Sequence, residues 1–284
     1  RNGGLGYVQF SMLLKKLEAE GVDISAIRRN PDVSTGVSLM MTSDRPNSAV
    51  LVFRGASETL ALDDIRDPVF EGASLVYIGP LSSDSAACFP ALVEQGAWAG
   101  AFVSVNPGVR QLRSRGEAFL GALANVDLVS VNAIELSILT VAMFARGAVE
   151  PGQSPETVET QDGVRLSREI FGEGAQKTPF RKALAALHAL GPRFVSVTDG
   201  AHGSYLSVAE KDAAQRLLFQ ETAPVAHVRG TAGAGDSYGS TLACGLAEGA
   251  APEKAMRRAA LNAGSVVSQL NTTEIGRASW WGRE

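Results

Sequence analysis

The hydrophobic positions of the chain form short apolar runs separated by stretches with helical spacing. Three runs, at 75–79, 101–105 and 127–131, alternate with helical patterns around 85–95 and 110–123. This alternation is typical of βαβ units, in which the strands form a buried parallel sheet. We therefore expect an α/β fold whose functional residues lie just beyond the C-terminal ends of the strands.

The same analysis of hydrophobic spacing predicts the secondary-structure elements that precede this region. Apolar residues at helical spacing predict a helix over 7–20 that ends at Gly21, and two β-rich runs follow at 35–42 and 49–53, with a turn signal at 43–47 between them.

The second half of the chain continues the pattern. We expect a helix over 180–190, a strand over 192–198, a β-run over 204–208 and a helix whose first turn contains Pro252. Residues 146–178 are rich in Gly, Pro and polar residues, which predicts a loop or a peripheral helix.

Composition limits the possible classes of protein. A length of 284 residues suits one large domain or one domain with a small appendage, and 45% hydrophobic with 20% charged residues is ordinary for a globular protein. The net charge of −4 suggests no basic surface for nucleic acid, and no membrane span or signal peptide is evident, so we expect a cytoplasmic protein. Cys88 and Cys244 are expected to be free, buried thiols.

The segment Gly233-Ala234-Gly235-Asp236 opens an apolar helical pattern. Its glycines allow a tight turn that points successive N–H groups in one direction, and a helix N-terminus of this kind favours an anion. Asp236 then lies in the first helical turn. A carboxylate there can cap the helix, worth about 1 kcal/mol, or act as a general base; the spacing alone favours neither.

Three other motifs follow predicted strands. Asn106-Pro107 is a site position or a common turn, and Asn132 with Glu135 is a capping-type box or a functional pair on one helix face. The turn from Thr198 to Gly203 can be a hairpin turn, a place where backbone approaches phosphate, or both.

Taken in order, these motifs resemble those of the ribokinase-like (PfkB) carbohydrate kinases, over roughly residues 7–270. The signature is carried by Thr231, the segment 233–236 and Gly239. The resemblance implies a ribokinase-like three-layer α/β/α sandwich, with a central mostly parallel sheet and a small β lid around 33–57, all within a single domain over 1–284. In the family such a lid is often shared between two subunits, so a homodimer is expected.

The resemblance also assigns roles. Asp236 would be the base that deprotonates the substrate hydroxyl, while the backbone of Gly233, Ala234 and Gly235 would form the anion hole. Glu135 would hold Mg²⁺, mostly through water. Nucleotide-binding positions would be Asn132, Thr198, Gly200, Gly203 and Asn262, and substrate-binding positions would be Arg54, Ala56 and Asn106.

Some of these positions have ordinary explanations too. Arg54 and Ala56 can form a simple turn after a strand, and Asn262 can be a polar residue on a packed helix. His202 is expected to be a solvent-facing turn residue rather than a catalyst.

The sequence departs from the family pattern in two places. Gly230 stands where the family usually has an aspartate that helps bind a monovalent cation, which argues against potassium activation. The family's first strand and its Gly-Gly sugar loop are not seen, and we expect residues before Arg1 to supply them, because a sheet without that strand would expose an edge. The chain also contains neither a Walker A motif nor a dinucleotide fingerprint.

The sequence thus predicts an ATP- and Mg²⁺-dependent kinase that phosphorylates a hydroxyl of a sugar or sugar-like small molecule. A nucleoside or vitamin kinase of the same superfamily is one alternative. A non-catalytic regulator that binds a sugar or nucleotide is the other.

Overall fold

A computed structural model describes residues 5–41, 49–65, 69–152, 170–210 and 215–269. Over these ranges the helices are α1 (Leu5–Ala19), α2 (Phe89–Trp98), α3 (Val109–Ala122), α4 (Ala133–Ala145), α5 (Phe180–Ala189), α6 (Ala234–Ala247) and α7 (Pro252–Val267). The strands are β1 (Thr35–Met41), β2 (Ala49–Gly55), β3 (Leu75–Ile78), β4 (Phe102–Val105), β5 (Leu128–Asn132), β6 (Ile170–Glu173), β7 (Gln176–Pro179), β8 (Phe194–Thr198), β9 (Ser204–Val208) and β10 (Arg216–Gln220). None of the described helices is long and apolar enough to cross a membrane.

Six strands form the central sheet in the order β10-β9-β8-β5-β4-β3. Strands β3, β4, β5 and β8 pair in parallel, whereas β9 and β10 are added antiparallel at one side. The sheet is therefore mixed but mostly parallel, which confirms the predicted α/β fold class. Since the four parallel strands run in one direction, their C-terminal ends lie along a single edge.

Side chains alternate between the two faces of this sheet, and each face is covered by helices. On one face Leu128 and Leu206 pack in a buried cluster with Leu242 of α6 and Met256 of α7. On the other face the ring of Phe180 in α5 packs edge to face with that of Tyr205, and the ring centroids are 5.7 Å apart. Helices thus cover both faces, as a three-layer sandwich requires.

The chain divides into two compact units, 1–69 with 81–91 and 70–80 with 92–284. In the first unit β1 and β2 form an antiparallel ribbon, in which Val37 pairs with Phe53 and Leu39 pairs with Leu51. These four side chains are 38–59% exposed. The ribbon occupies the region predicted as a lid, and the turn predicted at 43–47 lies outside the described residues.

Two predictions made from the sequence are wrong. Of the segment 146–178, expected to be a loop or peripheral helix, residues 153–169 lie outside the described residues, and 170–179 form an antiparallel hairpin, β6 with β7. Each strand has four residues, too few to reveal a period of two, and the hairpin is fixed by tertiary packing of Phe171 against Phe180. Cys244 is exposed, whereas Cys88 is buried as expected.

Candidate active site

The predicted site residues of the second unit follow the parallel strands. Asn106 comes directly after β4, Asn132 is the last residue of β5 and Thr198 is the last residue of β8. Their positions are brought to one edge of the sheet by the parallel arrangement, which is the edge where α/β proteins bind ligands.

The start of α6 has no side-chain cap. Gly233 is its N-cap residue with φ 81° and ψ −7°, a left-handed conformation that glycine adopts at little cost. The helix begins at Ala234, which places Asp236 in the first turn. A Cβ atom on Gly235 would have no heavy atom within 4 Å, so the space beside this residue is open.

Several backbone N–H groups at the N-terminus of α6 make no hydrogen bond to any residue that the structure describes. Ala234 N–H donates to the carbonyl of Thr231 at 3.3 Å, and Ser237 N–H donates to the carbonyl of Gly233 at 2.9 Å. Within the described ranges, the N–H groups of Gly233, Gly235 and Asp236 have no acceptor. Unpaired donors at the positive end of a helix dipole favour an anion.

The start of α4, in contrast, is closed by its own side chains. Glu135 N–H donates to Asn132 Oδ1 at 2.9 Å, and Asn132 N–H donates to Glu135 Oε2 at 2.9 Å. Together these two hydrogen bonds form a complete capping box. The interpretation of Asn132 and Glu135 as a capping pair is therefore confirmed. It fixes one carboxylate oxygen of Glu135 and leaves the other outside the box.

The charge of Asp236 acts on the carboxyl group of Glu135. Burial raises the pKa of Glu135, hydrogen bonds from Asn132 oppose this rise, and the charge of Asp236 adds to it. Asp236 is exposed as a residue, yet partial burial of its carboxyl group raises the pKa of Asp236 as well. The structure therefore brings Glu135 and Asp236 into one electrostatic environment, although they are about 100 residues apart.

Sequence reasoning missed one residue of this site, Tyr77 in β3. Asn106 Nδ2 donates to Tyr77 Oη at 3.1 Å. Both groups lie against α6 at Gly239, where an added Cβ atom would be 2.9 Å from Tyr77 Oη and 3.2 Å from Asn106 Nδ2. Tyr77 is the only residue with a polar side chain in the apolar run 75–79, which was the available signal.

The turn after β8 is a hairpin turn between β8 and β9. Gly203 has φ 101°, and a Cβ atom there would lie 2.5 Å from the carbonyl oxygen of Gln220, so the pairing of the strands requires glycine. Gly200 also has positive φ, but a Cβ atom there would meet nothing within 4 Å. The hairpin interpretation therefore holds, with open space at Gly200. His202 is exposed, with its Nδ1 atom 3.4 Å from Asp199 Oδ2.

Asn262 lies in α7 and joins it to α6. Its Nδ2 atom donates to Thr241 Oγ1 at 2.8 Å. The packed-helix interpretation accounts for this contact, and a role toward the nucleotide remains a prediction.

In the first unit, Arg54 is the next-to-last residue of β2, and Ala56 begins the turn that follows the strand. Arg54 Nε is 3.8 Å from Glu58 Oε1, which also accepts a hydrogen bond from Ser82 Oγ at 3.0 Å. Ala56 N–H donates to the carbonyl of Ser34 at 2.9 Å. These contacts describe an ordinary turn, and substrate binding by Arg54 and Ala56 remains a prediction.

The side chain of Glu135 offers oxygen donors of the kind that Mg²⁺ takes in proteins. Among the described residues no group of three or more His, Cys, Asp or Glu side chains could hold a metal by itself. Mg²⁺ is commonly bound by one or two carboxylates together with substrate phosphates, which Glu135 near Asp236 would allow. Gly230 offers no carboxylate for a monovalent cation.

Comparison with known proteins shows that most of the chain matches one protein family. The family described as pfkB family carbohydrate kinase matches residues 4–163 and 164–277. A search of the curated proteins gave no significant match.

Solved structures share the fold at low identity. A nucleoside kinase from Burkholderia thailandensis in complex with inosine is 17% identical, with TM-score 0.67 over 95% of this chain and 74% of that one. A ribokinase from Arabidopsis thaliana complexed with ribose and ATP is 22% identical, with TM-score 0.61 over 89% and 69%. An adenosine kinase from Anopheles gambiae in complex with P1,P4-di(adenosine-5) tetraphosphate is 16% identical, with TM-score 0.67 over 91% and 70%.

Proposed function

The chain belongs to the pfkB family of carbohydrate kinases, and from this premise we propose that it transfers the γ-phosphoryl group of ATP to a hydroxyl of a sugar or sugar-like small molecule. One observation carries the proposal. Unpaired N–H groups at the start of α6 lie beside the carboxyl group of Asp236, whose pKa is raised by burial. The unpaired N–H groups suit the binding of a phosphate group, and the carboxyl group suits a base that accepts a proton.

In the proposed reaction Asp236 accepts the proton of the acceptor hydroxyl as its oxygen attacks the γ-phosphorus. The bond to the β,γ-bridging oxygen breaks and ADP leaves. The N–H groups of Gly233 and Gly235 stabilise the charge on the phosphoryl oxygens; Ala234, whose N–H is directed at Thr231, contributes less. Such a reaction depends on positioning and charge neutralisation more than on reactive side chains.

We propose that Glu135 holds Mg²⁺ through water, and that the metal would neutralise charge on the phosphates of ATP. Asn132 is fixed beside it by the capping box. Thr198 and Gly200 would contact phosphate at the open turn, with Gly203 holding the turn in shape, and Asn262 would lie near the adenine. A potassium requirement is not part of this proposal, because position 230 is glycine.

The acceptor hydroxyl belongs to a free sugar or, as the main alternative, to a nucleoside. The structural neighbours include proteins solved with inosine and with ribose. The test is a panel of ribose, fructose, hexose phosphates, adenosine and inosine with labelled ATP and Mg²⁺. Phosphorylation of at least one acceptor supports a kinase, and the preferred acceptor separates sugar from nucleoside kinases. ATP binding without any phosphorylated product would favour a non-catalytic regulator.

We further propose a cytoplasmic, homodimeric enzyme in which residues 1–284 act as one kinase domain, with the ribbon at 33–57 as a lid that takes part in the subunit contact. Exposed apolar side chains on the ribbon, such as Leu39 and Phe53, support this contact. Sedimentation of the wild-type protein and of Leu39→Lys tests it. A dimer that becomes monomeric in the variant is expected, and a wild-type monomer at high concentration would contradict it.

A further inference from the structure

Tyr77 has no role in the proposal above, yet its hydroxyl lies within the same site. It is half-buried, accepts a hydrogen bond from Asn106 Nδ2 at 3.1 Å, and lies against α6 one turn after Asp236. Burial raises the pKa of Tyr77, and the charges of Asp236 and Glu135 raise it further, so the hydroxyl keeps its proton at neutral pH.

The Tyr77–Asn106 hydrogen bond leaves one donor, the Tyr77 O–H, and one acceptor, the Asn106 Oδ1, without a partner in this bond. Tyr77 accepts in this bond, so its own O–H hydrogen remains to be donated. Asn106 donates through Nδ2, which leaves its Oδ1 oxygen as an acceptor on the other side of the amide. Among the described residues neither group has a second partner. A neighbouring donor and acceptor match the hydrogen-bonding capacity of an alcohol, which both accepts and donates.

From this geometry we infer that Tyr77, together with Asn106, recognises a hydroxyl group of the phosphoryl acceptor and helps to determine which acceptor is used. The inference rests on the proposed kinase activity. Tyr77 orients the Asn106 amide so that Oδ1 faces the acceptor, and it donates its own O–H to the same hydroxyl-bearing substrate.

Gly239 makes this arrangement possible. With any side chain at this position, a Cβ atom would lie 2.9 Å from Tyr77 Oη, closer than van der Waals contact allows. The glycine therefore does not serve α6 itself, since alanine would favour the helix. It provides the space that the tyrosine hydroxyl occupies.

The test is a double-mutant cycle on the purified protein with the acceptor chosen from the panel. Tyr77→Phe is expected to lower kcat/KM for the acceptor by about 3- to 10-fold, mainly through KM, because one oriented hydrogen bond is lost. The KM for ATP and the Tm should be unchanged. Asn106→Ala should lower kcat/KM similarly, and the double variant should be little worse than Asn106→Ala, since the two residues act as a unit.

Two further variants separate recognition from simple packing. Tyr205→Phe removes a tyrosine hydroxyl from the opposite face of the sheet and should leave the acceptor KM unchanged. Gly239→Ala should raise the acceptor KM by displacing Tyr77 Oη, and adding Tyr77→Phe should recover part of the loss, because the nearest clashing atom is then gone.

The outcomes are distinguishable. A wild-type protein that phosphorylates no acceptor would overturn the proposed function, and the role of Tyr77 with it. An active wild-type protein with an unchanged acceptor KM in Tyr77→Phe, or with strictly additive effects in the cycle, would overturn the role of Tyr77 alone.

Discussion

Helices α4 and α6 each carry an acidic residue at the third helical position, but their first turns are completed in different ways. At α4 the side chains of Asn132 and Glu135 satisfy each other's backbone N–H groups. At α6 the N-cap residue is Gly233, which has no side chain, and the carboxylate of Asp236 reaches back to no N–H group of its turn. The carboxylate at the third helical position thus caps the helix in α4, whereas in α6 it takes no part in capping.

This difference shows where stability has been given up. A side-chain cap stabilises a helix by about 1 kcal/mol, and α6 lacks it because the left-handed conformation at position 233, with φ 81°, favours glycine over Ser, Thr or Asp. Marginal local stability of this kind is a common property of sites that a ligand completes. We interpret the start of α6 as the phosphate-binding element and that of α4 as the rigid support for Glu135.

The largest expected effect comes from removing the available carboxylate of α6. Asp236→Asn should lower kcat by about 10²- to 10⁴-fold, since general-base catalysis is lost while shape is kept. The Tm should not fall, because the variant also removes a partly buried charge. Steady-state kinetics and thermal unfolding check this. Glu248→Gln, which neutralises an exposed carboxylate at the other end of α6, is the control and should behave as wild type. Near-normal turnover in Asp236→Asn would refute the assignment of the base.

A smaller effect should come from filling the open space beside Gly235. In the unliganded protein a Cβ atom there meets nothing within 4 Å, so Gly235→Ala should be tolerated and should stabilise α6 by up to about 1 kcal/mol. With ATP present the methyl group would obstruct the phosphate, and the KM for ATP should rise by at least about 10-fold.

The matched control for this variant is Gly121→Ala in α3, where the nearest atom to an added Cβ is 3.7 Å away. It should gain similar stability without any change in the KM for ATP. If Gly235→Ala shows the same pattern as this control, phosphate does not bind at the start of α6.

Changing Glu135 in the capping box of α4 should weaken the binding of Mg²⁺ and leave the stability of the fold nearly unchanged. Glu135→Gln preserves the capping pattern, because glutamine can also accept from Asn132 N–H, so the Tm should stay close to that of wild type. The concentration of Mg²⁺ that gives half-maximal activity should rise by about 10-fold. A loss of stability with an unchanged Mg²⁺ requirement would mean that Glu135 is a cap only.

The smallest effect concerns pH. The pKa values of Asp236 and Glu135 are raised above their ordinary values of 3.8 and 4.5. In the window between the ordinary and the raised values the folded state binds more protons than the unfolded state, so stability falls as pH rises. Activity should rise over the same window as Asp236 loses its proton. Unfolding and kcat/KM measured against pH should therefore change in opposite directions, and Asp236→Asn should weaken the slope in stability. Parallel changes would contradict this account.

The fold could be predicted from sequence where burial imposes a clear period. Strands β3, β4, β5, β8 and β9 are apolar runs, and each was predicted within two residues of its observed bounds. The hairpin of β6 and β7 was missed because each strand has only four residues and β7 is largely polar. The positions of Asp236 and Asn132 at helix starts were also predictable, because glycine and asparagine have specific effects on backbone geometry.

The contacts of the site were less accessible to sequence reasoning. Nothing in the chain order indicates that Tyr77, Asn106 and Gly239 meet, because this contact depends on how α6 crosses the sheet. Which N–H groups of 233–235 remain unpaired was also not predictable. The bond from Ala234 to the carbonyl of Thr231 depends on the exact turn geometry.

The central claim, that the start of α6 receives the transferred phosphoryl group, is tested most directly by a crystal structure with ADP, aluminium fluoride, Mg²⁺ and the preferred acceptor. We expect the fluoride group to lie within hydrogen-bond distance, about 2.7–3.2 Å, of Gly235 N, with the acceptor hydroxyl directed at the Asp236 carboxylate. A fluoride group bound elsewhere, with the start of α6 unoccupied, would contradict the account.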